Sequence, residues 1–194
     1  MLICLFLLVG CLEYDEAYHQ EVNVFQDEWN EFFSDSVKSP LLEEDRKVFE
    51  GLDFFPANKE YRVDAAFTRT PDEEPFEMPT TKERRPIYVK FGEAQFEMQG
   101  KEILLHLFQN QKYALSEEYD GHLFLPFTDL TSGKETYGGG RYIDLTIPQG
   151  DTIVIDFNKA YNPYCSYNPK YSCPIPPPEN RIDIEIRAGV KAYH

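Results

Sequence analysis

Tyr18, Val22, Phe25, Trp29 and Phe32 recur at intervals of four and three, the repeat that places side chains on one face of a helix. The spacing predicts an amphipathic helix over 16–35. Asp15 can cap its start, Glu16 stands where the helix dipole favours an anion, and Pro40 lies beyond an end near Ser36. Such an aromatic stripe suits packing on the protein's own sheet, or alternatively on a partner or membrane surface. From Lys59 onward the repeat changes to two. Tyr61, Val63, Ala65 and Phe67 alternate with polar neighbours, as do Ile87, Val89 and Phe91, and later Ile182, Ile184 and Ile186. Further strands are predicted over 94–98, 102–108, 122–127, 141–147 and 152–157, with turns at Gly92-Glu93, Gln99-Gly100, Asp120-Gly121 and Gln149-Gly150-Asp151. Roughly seven or eight short strands without intervening helices predict a mainly β protein. The expected form is an antiparallel β-sandwich or partly open barrel with one N-terminal amphipathic helix.

Two stretches break the alternation. Pro71, Pro75, Pro79 and Pro86 make 68–86 a surface loop or ragged edge. Pro163, Pro169, Pro174, Pro176, Pro177 and Pro178 forbid a central strand or long helix over 158–180, leaving a long proline-rich C-terminal loop of a kind that is often functional. That loop carries Tyr161, Tyr164, Tyr167 and Tyr171. In a polyproline-like segment a spacing of three returns to one side, so the first three would form an aromatic ladder beside a cleft, suited to sugars or proline-rich peptide. The alternative is that the rings pin the loop to the domain.

The N-terminal apolar run, Met1 to Gly10, is far shorter than the ~20 residues a membrane-spanning helix requires. Leu8-Val9-Gly10-Cys11 resembles a lipobox, whose cysteine receives a diacylglycerol thioether before the preceding segment is removed. This reading gives a signal peptide over 1–10, an acidic arm and helix over 11–44 and a β domain over 45–194. It expects a bacterial cell-envelope lipoprotein, on the periplasmic or surface face, held to the membrane through Cys11. The alternative is an apolar N-terminal strand or an uncleaved signal.

A length of 194 residues with 42% hydrophobic content suits one folded domain. Nineteen basic against 34 acidic residues give a net charge of -15, which excludes a phosphate-neutralising groove and hence nucleic acid as a partner. The imbalance is uneven. Residues 13–53 hold 13 acidic and 3 basic residues, net -10, leaving 21 acidic and 16 basic elsewhere, net -5.

Several uncommon words occur in order. They are Leu123-Phe124-Leu125-Pro126-Phe127-Thr128-Asp129, Thr131-Ser132-Gly133-Lys134-Glu135-Thr136-Tyr137-Gly138-Gly139-Gly140-Arg141-Tyr142, and Asp156-Phe157-Asn158-Lys159-Ala160-Tyr161-Asn162-Pro163. Cys165, Cys173-Pro174, Pro177-Pro178-Glu179-Asn180-Arg181 and Ala188-Gly189 follow. Through these residues the chain, from about Asp45, resembles the DUF1684 family of bacterial proteins. The resemblance implies a fold unit and no particular reaction.

Candidate chemistry gathers in the same words. Gly138-Gly139-Gly140 can turn N–H groups around an anion, with Arg141 forking onto a carboxylate or phosphate. Alternatively these glycines make a hairpin whose Arg pairs with Asp129 or Asp156. Thr136, Tyr137, Arg141, Asn158, Tyr161, Asn162, Asn180 and Arg181 are the ligand-binding candidates. Cys165 and Cys173 can form a disulfide or stay free thiols; a zinc site would lack its CxxC and neighbouring His, so no metal or cofactor is expected. Ser132 lacks a GxSxG elbow, the histidines at 19, 106, 122 and 194 show no ligand spacing, and His106 reads as a satisfied buried residue. Asp129, Asp156 and Glu179 can supply an acid and a base, or else anchor Arg141 and Arg181. Three readings stand. The first is a binding or interaction module with a pocket bordered by Arg141 and the 158–180 loop, taking a small polar or anionic ligand, glycan or peptide. The others are an envelope hydrolase using those carboxylates and a purely structural envelope protein.

Overall fold

The structure, a computed structural model, describes residues 16–193. The lipobox, Cys11 and the Asp15 cap lie outside the described residues. Helix α1 (Glu16–Ser34) follows the expected range, and Asp35 ends it by accepting the Val37 and Lys38 N–H groups at 2.7 and 2.9 Å. A five-residue helix α2 (Glu43–Lys47), without an apolar repeat to reveal it, comes next. Seven strands follow: β1 (Arg62–Arg69), β2 (Phe76–Glu77), β3 (Ile87–Met98), β4 (Lys101–Asn110), β5 (His122–Phe127), β6 (Arg141–Thr146) and β7 (Thr152–Asp156). Among the described residues no helix is long and apolar enough to cross a membrane.

All strand pairs are antiparallel and belong to one sheet, in the order β6-β5-β4-β3-β1-β7, with β2 on the end of β3. Strands β6 and β7, consecutive in sequence, sit at opposite ends of that order and come back within reach of each other. The sheet therefore curls into a half-barrel, which selects the open-barrel form over two facing sheets. Its concave face holds the main core, including Ala65, Phe96, Leu105, Leu123, Leu125, Ile143 and Ile155. Residues Ile182, Ile184 and Ile186 are buried in alternation and close this core, as their period of two predicts. They do not form a strand of the sheet. Their backbone instead pairs parallel with a loop, Ile182 N–H to Thr128 C=O at 2.8 Å and Leu130 N–H to Ile184 C=O at 3.1 Å.

Gly92-Glu93 is no turn but part of the continuous strand β3. Lys90 faces Phe108 and Gly92 faces Leu107, so Phe91 is an extra residue, a β-bulge. A side chain at 92 would meet the Phe67 ring at 2.5 Å and the Thr68 carbonyl at 2.8 Å, which is why glycine follows the bulge. The bulge changes parity along the strand. Beyond it Ala94, Phe96 and Met98 enter the core, whereas Tyr88 before it joins a second cluster, with Phe108, Phe124 and Tyr142, on the opposite face. That convex face carries the candidate site.

Helix α1 docks at both ends. Tyr18 donates to Asp156 at 3.0 Å and accepts from Asn158 Nδ2 at 2.7 Å. At the other end Phe33, fully buried, packs with Leu41 and Tyr167. Phe25, Trp29 and Phe32 remain half-buried between these anchors.

Candidate functional site

On the two adjacent strands β5 and β6 the outward positions are His122 and Phe124, and Tyr142 and Asp144. Phe124 stands opposite Asp144, and the Phe124 and Tyr142 rings meet edge to face at 4.7 Å. With Tyr88 from β3 they floor a cleft of about 680 Å³. One wall is the stacked pair Tyr113 and Tyr119, with ring centres 4.4 Å apart, from the turns between β4 and β5. The other wall is the proline-rich loop, through Tyr161, Tyr164 and Tyr171, with Trp29 of α1 stacked on Tyr161 at 4.6 Å. Of the expected ladder, Tyr161 and Tyr164 therefore line the cleft together with Tyr171. Tyr167 turns away to pack against Phe33 and Tyr193, because three-ten turns interrupt the polyproline repeat.

The polar groups of the cleft are few and oriented. Asp144 accepts from His122 Nε2 at 2.9 Å and from the Tyr161 hydroxyl at 2.8 Å, while its side chain stays 50% exposed. His122 Nδ1, set edge-on to the Tyr113 and Tyr119 rings, has no hydrogen-bond partner. Burial pushes the Tyr161 and Tyr142 hydroxyls well above their usual range, so both stay neutral donors. At the rim, Arg84 Nη2 donates to the Ser172 carbonyl at 2.6 Å, and the Lys170 ammonium lies 4.9 Å over the Tyr171 ring. Lys82 donates to the Lys170 carbonyl and Arg85 to the Lys82 carbonyl, so four cations collect where 82–85 meets 170–172.

Arg141 points away from this cleft, into the half-barrel, and is 0% exposed. Its Nη2 bonds Asp129 at 2.9 Å and the Ile186 carbonyl at 2.8 Å; Nη1 bonds the carbonyls of Ala188 and Val190. Desolvation lowers its pKa, and the Asp129 carboxylate beside it opposes that. The glycine run brings the chain into this position. Gly140 has φ +87°, and a side chain there would come within 2.5 Å of the Phe127 carbonyl. Thr136 joins the same network through Thr131 at 2.9 Å, and Thr131 donates to Asp129 at 2.6 Å.

The asparagines close the loop rather than line the cleft. Asn158 binds Asn58, Asp156 and Tyr18; Asn162 donates to the Lys191 carbonyl; Asn180 spans His106 and Pro126. Both ends of the 158–180 segment are thus held by buried amides. The three carboxylates occupy separate networks: Asp129 with Arg141, Asp156 with α1, and Glu179 exposed at the surface. Arg181 is exposed beside a space of about 340 Å³ that Asp129 also lines, and Tyr137 and Thr136 border another of about 210 Å³. Cys165 and Cys173 are free thiols, and Cys173 lines the main cleft. Among the described residues no group of three or more His, Cys, Asp or Glu side chains gathers as a metal site would.

His122, Asp144, Tyr113, Tyr119, Trp29 and Arg84 were not among the sequence candidates. The outward parity of β5 and β6 is the signal for the first two; the others depend on tertiary contacts.

A family model described as "Protein of unknown function (DUF1684)" matches residues 47–191. A solution NMR structure of an uncharacterized protein of Haloarcula marismortui is 33% identical with a TM-score of 0.71, over 91% of this chain and 95% of that one. No curated protein matches the chain.

Proposed function

The chain belongs to the DUF1684 family, whose function is unknown, and from this premise we propose that it is a binding module displayed at the bacterial cell envelope from a lipid on Cys11. The ligand is a ring-bearing polar molecule with an anionic group, of the acidic-glycan class. One observation carries this reading: a cleft of about 680 Å³ with tyrosine on both walls and charged groups confined to a few positions. That size and lining suit a small molecule. Tyrosine faces accept the C–H face of a sugar ring, Asp144 and the tyrosine hydroxyls serve its hydroxyls, and Arg84 and Lys170 serve a carboxylate. The hydrolase reading gains less support, because Asp129, Asp156 and Glu179 do not share a pocket.

Uronic-acid oligosaccharides at a hundredfold excess over Kd are expected to add about 2.7 kcal/mol of stability, roughly 5–10 °C in melting temperature for a domain of this size. Neutral oligosaccharides of equal length give a smaller shift, and Tyr119→Ala with Lys170→Ala abolishes both. A shift that survives in that double variant, or none with either sugar class, counts against the cleft. The anchor rests on Leu8-Val9-Gly10-Cys11. Wild-type cells are expected to incorporate labelled palmitate into the protein and Cys11→Ser cells to incorporate none; an unlabelled wild type removes the anchor.

A further inference from the structure

The rim cations divide into an inner and an outer pair. Arg84 and Lys170 line the cleft, whereas Lys82 and Arg85 stand exposed outside its lining. Among the described residues none of the four forms an ion pair, and Glu83, the acid between them in sequence, forms none either. Like charges gathered in one place repel one another, so other bonds must hold them there.

The backbone supplies those bonds. The Thr81 N–H donates to the Cys173 carbonyl and the Ile175 N–H to the Pro79 carbonyl, both at 2.9 Å, with Thr80 and Pro174 facing each other antiparallel. Thr80, only 5% exposed, donates to the Arg84 carbonyl at 2.6 Å, which leaves it to accept from the Ser172 hydroxyl at 2.7 Å. The cations donate to carbonyls as well: Lys82 to that of Lys170 at 3.2 Å, Arg84 to that of Ser172 at 2.6 Å, and Arg85 to that of Arg84 at 2.9 Å. Each keeps further N–H groups for an anion. The far wall has the opposite sign, since Glu117 and Glu118 precede Tyr119 there and Asp144 stands in the floor. An anionic chain therefore leaves the cleft over 82–85.

We propose that the ligand is an oligomer with an acidic group on successive sugars, and that Lys82 and Arg85 form an outer subsite for a sugar lying beyond the cleft. This rests on the acidic-glycan reading above and extends it. A single acidic sugar in the cleft meets Arg84 and Lys170 but leaves the outer pair without a counter-charge. The aromatic lining points the same way. Tyr113 with Tyr119, Trp29 with Tyr161, and Tyr164 with Tyr171 are three ring pairs at different places in the cleft, more platform than one sugar ring covers.

The test is calorimetric titration of the full-length protein with galacturonic acid and with its disaccharide and tetrasaccharide. Affinity is expected to rise from the monosaccharide to the tetrasaccharide, and that gain should shrink as ionic strength rises. Lys82→Gln with Arg85→Gln removes both charges while keeping amide donors for the carbonyls. It should cut the gain by about tenfold, the effect of two exposed ion pairs, and Lys82→Arg with Arg85→Lys should restore it. Polyglutamate of equal charge brings carboxylates without sugar rings and should bind more weakly than the tetrasaccharide. If the monosaccharide and tetrasaccharide bind alike, or the gain survives the charge-removing pair, the outer subsite is overturned while the cleft reading stands. If neither sugar binds, both fall. Equal binding of polyglutamate would make the rim a surface for acidic peptide and overturn the oligosaccharide, and the wild-type length series decides even if a variant fails to fold.

Discussion

Arg141→Ala is expected to lower the unfolding free energy by about 3–5 kcal/mol, a large share of the 5–15 kcal/mol typical of a domain. The loss has two parts. The carboxylate of Asp129, buried with the guanidinium, would be left as an uncompensated charge. The carbonyls of Ile186, Ala188 and Val190 would lose the donor that holds the C-terminal segment over the open half-barrel. Urea titration measures it as a lower midpoint with the slope unchanged. Arg141→Lys should lose less, since it keeps the charge but not the fork. The apolar pair Arg141→Met with Asp129→Leu should recover part of the stability, because a matched removal leaves no buried charge. An Arg141→Ala midpoint equal to that of the wild type would show that the guanidinium does not hold this segment.

The second large effect is expected at Asn180, whose amide imitates a strand edge. Its Oδ1 accepts from the His106 N–H at 2.8 Å, and its Nδ2 donates to the His106 and Pro126 carbonyls, both at 2.8 Å. Asn180→Ala strands three backbone groups between β4 and β5, where the ladder between these strands contains only the Phe108–Phe124 pair. Leaving buried groups unpaired costs about 1–3 kcal/mol each, and partial hydration on relaxation brings the expected total to about 3 kcal/mol. Hydrogen exchange locates it: the His106 amide should exchange faster, by about a hundredfold for that loss of local stability. Asn180→Asp tests the direction of the bonds, because a carboxylate accepts from His106 but cannot donate to the two carbonyls. If the His106 amide keeps its protection in both variants, the bracket is not what joins β4 to β5.

The helix was legible because Tyr18 and Val22 bury as their spacing demands; its far anchor was less so, since Phe33 rather than Phe32 enters the core. The strands were legible wherever the alternation ran unbroken, as over 122–127. It failed at Phe91-Gly92, where one extra residue reverses the parity, and a glycine in a strand looks like a turn. Ile182, Ile184 and Ile186 alternate as strand residues do, but alternation reports burial and not the partner; theirs is a loop with few ladder bonds. The same distinction governs the site. Arg141 carries the chemistry of an anion fork, yet spacing cannot tell an outward guanidinium from one turned onto Asp129. Asp144 and His122 were ordinary polar positions until the pairing of β5 with β6 set them on one face. Trp29 and Tyr161, far apart in sequence, meet only because α1 lies along the proline-rich loop.

The basic cluster at the cleft rim has a kinetic consequence. In a chain of net charge -15, an anionic ligand is repelled at long range, but solution salt damps that repulsion beyond a Debye length of about 8 Å. Within that distance the cations that line the cleft are Arg84 and Lys170, with Lys82 and Arg85 bonded beside them and Asp144 opposing them from the floor. For the anionic ligand proposed above, capture would therefore depend on arriving at the rim that holds Arg84 and Lys170. Raising ionic strength should relax the distant repulsion and the near attraction together, so the rate of encounter responds less to salt than the count of cations at the mouth suggests.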